Sequence, residues 1–222
     1  MNSRTLITIR AHVRPADRAT FWQIIRDFAE SERATHDLAN WSAYEHLTRP
    51  EILLAVLEYS AYAGDAAGTG DPDLDKMLIS LNPLVIQPPS VRFITVRASG
   101  GQGPSDMATG TYLSISDRNA EPGRAAELAQ DYEFVFGSLS VLPGFAGYLY
   151  GPYGGLEEKL FGFALWSDEE SLRESIARHL RHQLRIYEKV DPENAPDPAQ
   201  DFLAPEPEPE PAANENVPQA SE

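Results

Sequence analysis

Apolar residues alternate along the first half of the chain between a strand-like and a helix-like period. A strand is predicted at residues 6–13 and a helix at 15–35. The helix has one apolar face, formed by Phe21, Trp22, Ile25, Phe28 and Ala29. Two strands at 40–47 and 51–62 flank a Thr-Arg-Pro turn, and a short helix at 73–81 leads to a strand at 91–98. Residues 1–98 therefore predict the ferredoxin-like order β-α-β-β-α-β.

The same order returns in the second half, after a Gly- and Ser-rich linker at residues 99–109. The repeated strands are predicted at residues 111–117, 144–151, 159–166 and 184–190. A helix is predicted from about Pro122 to residue 139, and another begins at Ser167, which has capping-box spacing to Glu170. This last helix could instead continue through His182 and replace the final strand. Residues 110–190 are interpreted as a second ferredoxin-like unit.

Two of these strands are almost continuously apolar, at residues 53–62 and 160–166. A strand of this kind is buried on both faces. One face would pack on the helices of its own unit, and the other face would need a sheet from the other unit. We therefore predict an α+β fold in which two tandem units form a closed, pseudo-dimeric barrel within one chain.

The composition changes at residue 191. Residues 191–222 contain 8 prolines and 9 acids but no Lys or Arg, so this tail accounts for 9 of the 16 net negative charges of the 222-residue chain. Such a composition predicts a disordered acidic tail, acting as a spacer, a ligand or a solubilising segment. The excess of Asp and Glu over Lys and Arg disfavours nucleic-acid partners, because a negatively charged chain repels phosphate backbones. The sequence has no cysteine, no apolar run of membrane-spanning length and no signal-peptide pattern, so a cytoplasmic location is expected.

A family resemblance comes from three runs in the second half. Leu-Pro-Gly-Phe at residues 142–145 leads into GYLYG, and KLFGFALW is followed by a helix start rich in Ser, Asp and Glu. These runs resemble the antibiotic biosynthesis monooxygenase family of dimeric α+β barrels. The match covers residues 110–190, whereas residues 5–98 match in pattern only, with Trp41 in the place of Phe145 and Tyr62 in the place of Trp166.

The resemblance implies oxygenation of electron-rich phenols or hydroquinones without a cofactor, as in some family members. Other members bind or degrade haem. Because a tandem copy would mimic the usual homodimer, a monomer is expected, and its two pockets would be inequivalent.

The candidate catalytic residues lie in the second predicted strand: Asn40, Tyr44 and His46, with Trp41 as a substrate-binding residue. The resemblance implies such residue types for orienting a phenol and oxygen. A neutral imidazole could also accept the proton of a phenol near pH 7. However, strand alternation places Tyr44 and His46 on one face and Trp41 on the other. The alternative is that these side chains are core or edge residues.

In the second unit, the candidate substrate-binding residues are aromatic: Tyr148, Tyr150 and Trp166. They could stack on a flat ligand, or they could simply form the core between the sheets.

Metal and haem sites have weaker signals. No histidine and carboxylate spacing indicates a metal site, and none is predicted. His179 and His182 could face one side of a helix, so His179, or alternatively His46, is a minor candidate as a haem ligand; the other interpretation is a basic helix end. Asp71, Asp73 and Asp75 favour a helix start over a calcium loop.

Buried acids in the strands favour structural ion pairs. Glu45 and Glu58 lie within apolar strands, and a buried carboxylate is costly unless it is paired. Arg10, Arg92 and Arg97 are candidate partners.

The sequence thus favours a monooxygenase-like protein that acts, without a cofactor, on an aromatic, hydroquinone or polyketide-type small molecule. Two alternatives remain: a binding or scaffold protein that kept the fold without catalysis, and a haem-binding or haem-degrading protein. Neither a nucleic-acid nor a membrane partner is expected.

Overall fold

The computed structural model describes residues 4–62, 71–101, 110–179 and 185–192, without the side chains of residues 177–179. The elements of the first half are β1 (Thr5–Val13), α1 (Arg18–Thr35), β2 (Leu38–His46), β3 (Arg49–Tyr59), α2 (Pro72–Leu81), β4 (Val85–Thr95) and β5 (Ala98–Gly101). Those of the second half are β6 (Tyr112–Asn119), α3 (Ala125–Leu139), β7 (Phe145–Tyr153), β8 (Leu156–Trp166), α4 (Glu169–His179) and β9 (Arg185–Val190).

Within these residues, nine strands form one antiparallel sheet in the order β4-β1-β3-β2-β9-β6-β8-β7-β5. A further pairing of β4 with β7, at Ile94 and Tyr153, closes the sheet into a barrel. The last strand of the second half, β9, pairs with β2 of the first half. In the same way, β4 and β5 of the first half pair with β7. Each half therefore has ferredoxin-like topology, and pairing between the edge strands of the two halves forms the predicted closed barrel.

The two halves correspond residue by residue. Elements β1, α1, β2 and β3 begin at Thr5, Arg18, Leu38 and Arg49, and β6, α3, β7 and β8 begin at Tyr112, Ala125, Phe145 and Leu156, in each case 107 residues later. The strand pairings agree, because Tyr59 lies opposite Thr5 as Trp166 lies opposite Tyr112. Adding 107 to a residue number in β1–β3 therefore gives its counterpart in β6–β8.

Three apolar cores explain the nearly continuous apolar strands. Along β3, Ile52, Leu54 and Val56 point into the barrel, where they meet Phe161, Phe163 and Leu165 of β8. The intervening residues of β3 pack under α1 and α2. The intervening residues of β8 pack under α3 and α4. The prediction that both faces of these strands are buried is confirmed.

Several details differ from the predictions. Residues 98–101 form β5, whose backbone pairs with β7, although residues 99–101 were predicted to belong to the linker. Asp168, not Ser167, caps α4: its carboxylate accepts from the Ser171 N–H at 2.8 Å, whereas the Ser167 hydroxyl donates to the Gly144 carbonyl.

The predicted correspondences between the halves also shift. The counterpart of Trp166 is Tyr59 rather than Tyr62, and the counterpart of Phe145 is Leu38 rather than Trp41. Asp71, as predicted, begins a helix: it caps α2 by accepting from the N–H groups of Asp73 and Leu74, each at 3.0 Å.

The final strand is confirmed at Arg185–Val190. His182, residues 102–109 and the predicted tail from residue 193 lie outside the described residues. No helix in the described ranges is long and apolar enough to cross a membrane.

Candidate functional site

A cavity of about 50 Å³ lies in the second half, between the sheet and helices α3 and α4. Polar groups from β6 form its floor, and mainly apolar groups from α3 form its roof. Its lining consists of Ser114, Ser116, Arg118, Tyr132, Val135, Phe136, Leu139, Gly162, Ala164 and Ser175.

The first half fills the corresponding space. The counterparts of Ser114, Ser116 and Arg118 are Ile7, Ile9 and Ala11, which are at most 3% exposed and belong to one apolar core. The counterpart of Ala164 is Leu57, which is also fully buried. Smaller or more polar residues at these positions line the cavity in the second half, whereas larger apolar side chains occupy most of them in the first half. The two halves therefore differ at the positions that line this cavity.

Tyr132 is held rigidly above this floor. Its hydroxyl lies 3.1 Å from the Ser116 hydroxyl and 3.2 Å from the carbonyl oxygens of both Ser116 and Leu160. Burial raises the pKa of Tyr132 to about 12, although the Ser116 hydrogen bond and the charge of Arg118 act in the opposite direction. The phenol therefore stays protonated near neutral pH and acts as a hydrogen-bond donor, not as a base.

Gly162 makes room for the Tyr132 ring. A Cβ atom at this position would overlap the ring edge and would lie 3.1 Å from the Phe136 ring. The first half has Ala55 at this position, opposite the smaller Ile25. The glycine and the tyrosine are thus a matched pair in the second half.

Arg118 supplies positive charge to the cavity. Its guanidinium carbon lies 5.7 Å from the centre of the Tyr132 ring. It forms no ion pair with any residue that the structure describes. A half-buried arginine without a carboxylate partner can bind an anionic oxygen with charge-assisted hydrogen bonds.

The predicted aromatic residues of the second half lie just behind this cavity. Tyr148 stacks on Phe136 at 4.6 Å, and the Tyr150 hydroxyl donates to Glu133 at 2.9 Å. Trp166 is fully buried, and its Nε1–H donates to the Ser114 hydroxyl at 3.2 Å. These aromatic residues therefore support the cavity wall, but none of them is among the described residues that line it.

The structure does not bring together all the candidate residues of the first half. Tyr44 is fully buried inside the barrel, whereas Trp41 packs toward α1 on the opposite face of the sheet. The Nδ2 atom of Asn40 is buried without a hydrogen-bond partner among the described residues. His46 lies at one end of the barrel, where its ring meets that of Tyr187 edge to face at 5.2 Å. The catalytic roles of Asn40, Tyr44 and His46 stay predictions.

Two expectations about charged groups can be compared with the structure directly. Both strand carboxylates form ion pairs, as predicted, but Glu45 pairs with Arg18 and Glu58 with Arg4 rather than with the three arginines named from the sequence. The side chain of His179 lies outside the described residues, so its candidacy as a haem ligand stays a prediction. No cluster of three metal-ligating side chains occurs in the part of the chain that the structure describes.

The sequence analysis missed the residues of the cavity floor. Ser114, Ser116 and Arg118 stand at the helix-facing positions of β6, where an ordinary buried strand would carry apolar side chains. The signal was present in the difference between the halves. It becomes visible only with the residue correspondence, which the structure supplies.

No family profile and no curated protein matches the sequence. Solved structures share the fold. A presumed monooxygenase from Fusobacterium nucleatum aligns with a TM-score of 0.62 at 10% identity, over 86% of this chain and 94% of its own. A ferredoxin-fold protein from Listeria monocytogenes that is related to antibiotic biosynthesis monooxygenases gives 0.52 at 9% identity, over 86% and 96%. An anthrone oxidase-like protein gives 0.51 at 12% identity, over 86% and 92%.

These alignments extend over both halves of the chain, since each covers far more than either half alone. At such low identity they establish the fold and not the activity. The chain therefore has the fold of the ferredoxin-like proteins related to antibiotic biosynthesis monooxygenases.

Proposed function

We propose that this chain is a monooxygenase-like enzyme that oxidises a small phenol or hydroquinone in the cavity of the second half. The observation that carries this proposal is the replacement of Ile7, Ile9 and Ala11 by Ser114, Ser116 and Arg118 at corresponding positions. The similarity of the fold to monooxygenase-like proteins, including an anthrone oxidase-like protein, supports the same chemistry.

Arg118 has the central chemical role in this proposal. A phenol whose oxygen faces the guanidinium would ionise more readily, because a nearby positive charge favours the charged form. The resulting phenolate is electron-rich enough to reduce oxygen. One oxygen atom becomes a carbonyl oxygen at a ring carbon, the other leaves as water, and the phenol becomes a quinone. Because a guanidinium is already protonated, Arg118 stabilises the phenolate without accepting the proton, and because the described lining has no histidine, the phenol proton passes to solvent.

Tyr132 and the two serines would orient the substrate. The Tyr132 phenol stays protonated, and the hydroxyls of Ser114 and Ser116 are already engaged by Trp166 and Tyr132. Their positions are therefore fixed before a substrate binds, which reduces the cost of ordering the site.

The cavity size limits the substrate class. Its volume of about 50 Å³ is smaller than the roughly 150 Å³ of an engineered cavity that binds benzene. Binding of a ring then requires movement of the other α3 side chains that line the cavity, and polycyclic compounds would need more movement than single rings. We therefore expect single-ring hydroquinones to bind better than anthrone-type compounds.

The test combines oxygen uptake with thermal unfolding of the full chain in the presence of single-ring hydroquinones. We expect uptake above the buffer rate and a ligand-dependent rise in Tm for the wild type. Both effects should be lost in Arg118→Ala. The matched control is Arg124→Ala, which removes an exposed arginine at the start of α3 and away from the cavity floor.

The outcomes separate the alternatives. A rise in Tm without oxygen uptake would contradict the enzymatic proposal and favour a binding protein. Equal uptake by the wild type and Arg118→Ala would contradict the role of the cavity.

A further inference from the structure

A second charged cluster lies inside the barrel, on the opposite side of the sheet from the cavity. Arg10 of β1 and Tyr187 of β9 meet across the barrel interior, where the Arg10 Nε–H donates to the Tyr187 hydroxyl at 3.1 Å. Arg92 of β4 forms an ion pair with Asp117 of β6, and Arg185 of β9 approaches the same Asp117 oxygen at 3.7 Å. The Arg10–Tyr187 and Arg92–Asp117 contacts join strands that are not neighbours in the sheet, so they cross the barrel interior, whereas Arg185 and Asp117 lie on the neighbouring strands β9 and β6.

The correspondence between the halves shows that this cluster is unbalanced. Arg92 lies opposite Thr8 and Arg185 lies opposite Ile115, so the two arginines are counterparts. By the same rule, the counterpart of Asp117 is Arg10. Both arginines of a symmetric pair, Arg92 and Arg185, are therefore present at this end of the barrel. Only one of the two corresponding positions, that of Asp117, has a carboxylate. An arginine occupies the second carboxylate position.

Other groups at this end do not restore the balance. Arg49 begins β3 beside His46, and neither Arg49 nor Arg10 forms an ion pair with a described residue. Glu51 is 3.8 Å from His12. Four arginines thus face two carboxylates, in a chain whose net charge is −16.

The state of His46 agrees with a local excess of positive charge. Burial lowers its pKa, the charges of Arg49, Arg10 and Arg185 lower it further, and Glu51 acts in the opposite direction. Tyr187 is fully buried, and its hydroxyl accepts from Arg10 while its proton has no acceptor among the described residues. The Tyr187 hydroxyl and several arginine side chains therefore converge there without a matching hydrogen-bond acceptor among the described residues.

We propose that this end of the barrel binds a tetrahedral oxyanion, namely phosphate or the phosphate group of a small ester. Arg10, Arg49 and Arg185 come from three different strands, so their donors approach from different directions. A tetrahedral anion with several oxygens satisfies such a set better than a planar carboxylate, and guanidinium groups are well suited to phosphate. The site is separate from the second-half cavity, because Asp117 and Arg118 point to opposite faces of β6.

The test uses the full chain and two probes, inorganic phosphate and phenyl phosphate, with chloride at equal ionic strength as the reference. Binding is followed by phosphorus NMR line broadening and by the shift in Tm. Tighter binding of phenyl phosphate would assign the site to an ester, and equal binding would assign it to free phosphate. Either result supports the proposal. Absence of saturable binding above the chloride reference overturns it.

Two variants locate the site. Arg10→Asp supplies the missing carboxylate beside Arg185, so we expect loss of phosphate binding without loss of Tm in the absence of phosphate. Arg49→Ala changes an exposed residue and should weaken binding about tenfold, the effect of one charge-assisted hydrogen bond. Arg124→Ala is the control with unchanged binding. Phosphate binding that is unchanged in both Arg10→Asp and Arg49→Ala would show that the anion binds elsewhere and would overturn the assignment.

Discussion

Gly162→Ala is the substitution that most directly tests the packing of the cavity. The new methyl group would overlap the edge of the Tyr132 ring, with the ring atom Cδ1 at 3.0 Å and the Phe136 ring at 3.1 Å. The Tyr132 ring cannot shift away as a whole without moving its hydroxyl, which is held by Ser116 and the Leu160 carbonyl. The substitution must therefore displace a ring that closes the cavity.

The expected energy follows from two opposing effects. Replacing glycine by alanine stabilises the folded state by about 0.4–1 kcal/mol through the unfolded chain when the backbone is compatible. Overpacking of a core costs about 1–3 kcal/mol, and a displaced hydroxyl loses a further 0.5–1.5 kcal/mol. We therefore expect Gly162→Ala to lower the free energy of unfolding by about 0.5–4 kcal/mol.

The assay is urea denaturation of the full chain, followed by circular dichroism. The matched control is Gly137→Ala on α3, where a Cβ atom meets nothing within 4 Å. The free energy of unfolding of Gly137→Ala should be higher than that of the wild type by up to about 1 kcal/mol, because alanine is a better helix former than glycine. A Gly162→Ala protein as stable as the Gly137→Ala protein would refute the described contact between Gly162 and Tyr132.

Two further predictions concern other parts of the fold. Tyr59→Phe removes the hydroxyl that donates to buried Glu32 at 2.8 Å, so it should lower the free energy of unfolding, measured by urea denaturation, by about 1–3 kcal/mol. The control is Tyr112→Phe, which should lower it far less, because the Tyr112 hydroxyl is 3.3 Å from Glu188 near the surface. Asp71→Ala removes the cap of α2 and should cost about 1 kcal/mol at neutral pH. Burial acts to raise the pKa of Asp71, but hydrogen bonds from Leu74 N–H, the Tyr62 hydroxyl and Asp73 N–H outweigh it and lower the pKa. The wild type should therefore exceed Asp71→Ala in free energy of unfolding by the full amount above about pH 4, and this difference should decline as the pH falls through the lowered pKa. A difference that instead grows as the pH falls would contradict the capping role of Asp71.

Much of the fold could be predicted because its local signals agree with its packing. The strands at β3 and β8 are apolar on both faces, which required a second layer on each side, and the structure provides helices outside and the other half inside. β5 was missed because Ala98–Gly101 has a linker composition. Its strand state depends on backbone pairing with β7, which is a tertiary contact that residue type does not encode.

The candidate site was harder to predict because side-chain direction decides it. Strand alternation correctly predicted that Tyr44 and Trp41 point to opposite sides of the sheet, but not that Tyr44 would be buried inside a closed barrel. The cavity instead depends on Ser116 and Arg118, which are unremarkable in isolation. Ser116 and Arg118 indicate a site only when they are compared with the apolar residues at the corresponding positions of the first half.

The most direct test of the account is a nitrogen–proton NMR titration of the full 24.5 kDa chain with a single-ring hydroquinone. The account predicts saturable shifts at the amides of Ser116, Arg118 and Tyr132, and no shifts at their first-half counterparts Ile9, Ala11 and Ile25. Shifts confined to the first half, or equal shifts in both halves, would contradict the proposal that the hydroquinone binds in the cavity of the second half. The absence of any saturable shift would contradict the proposed substrate class.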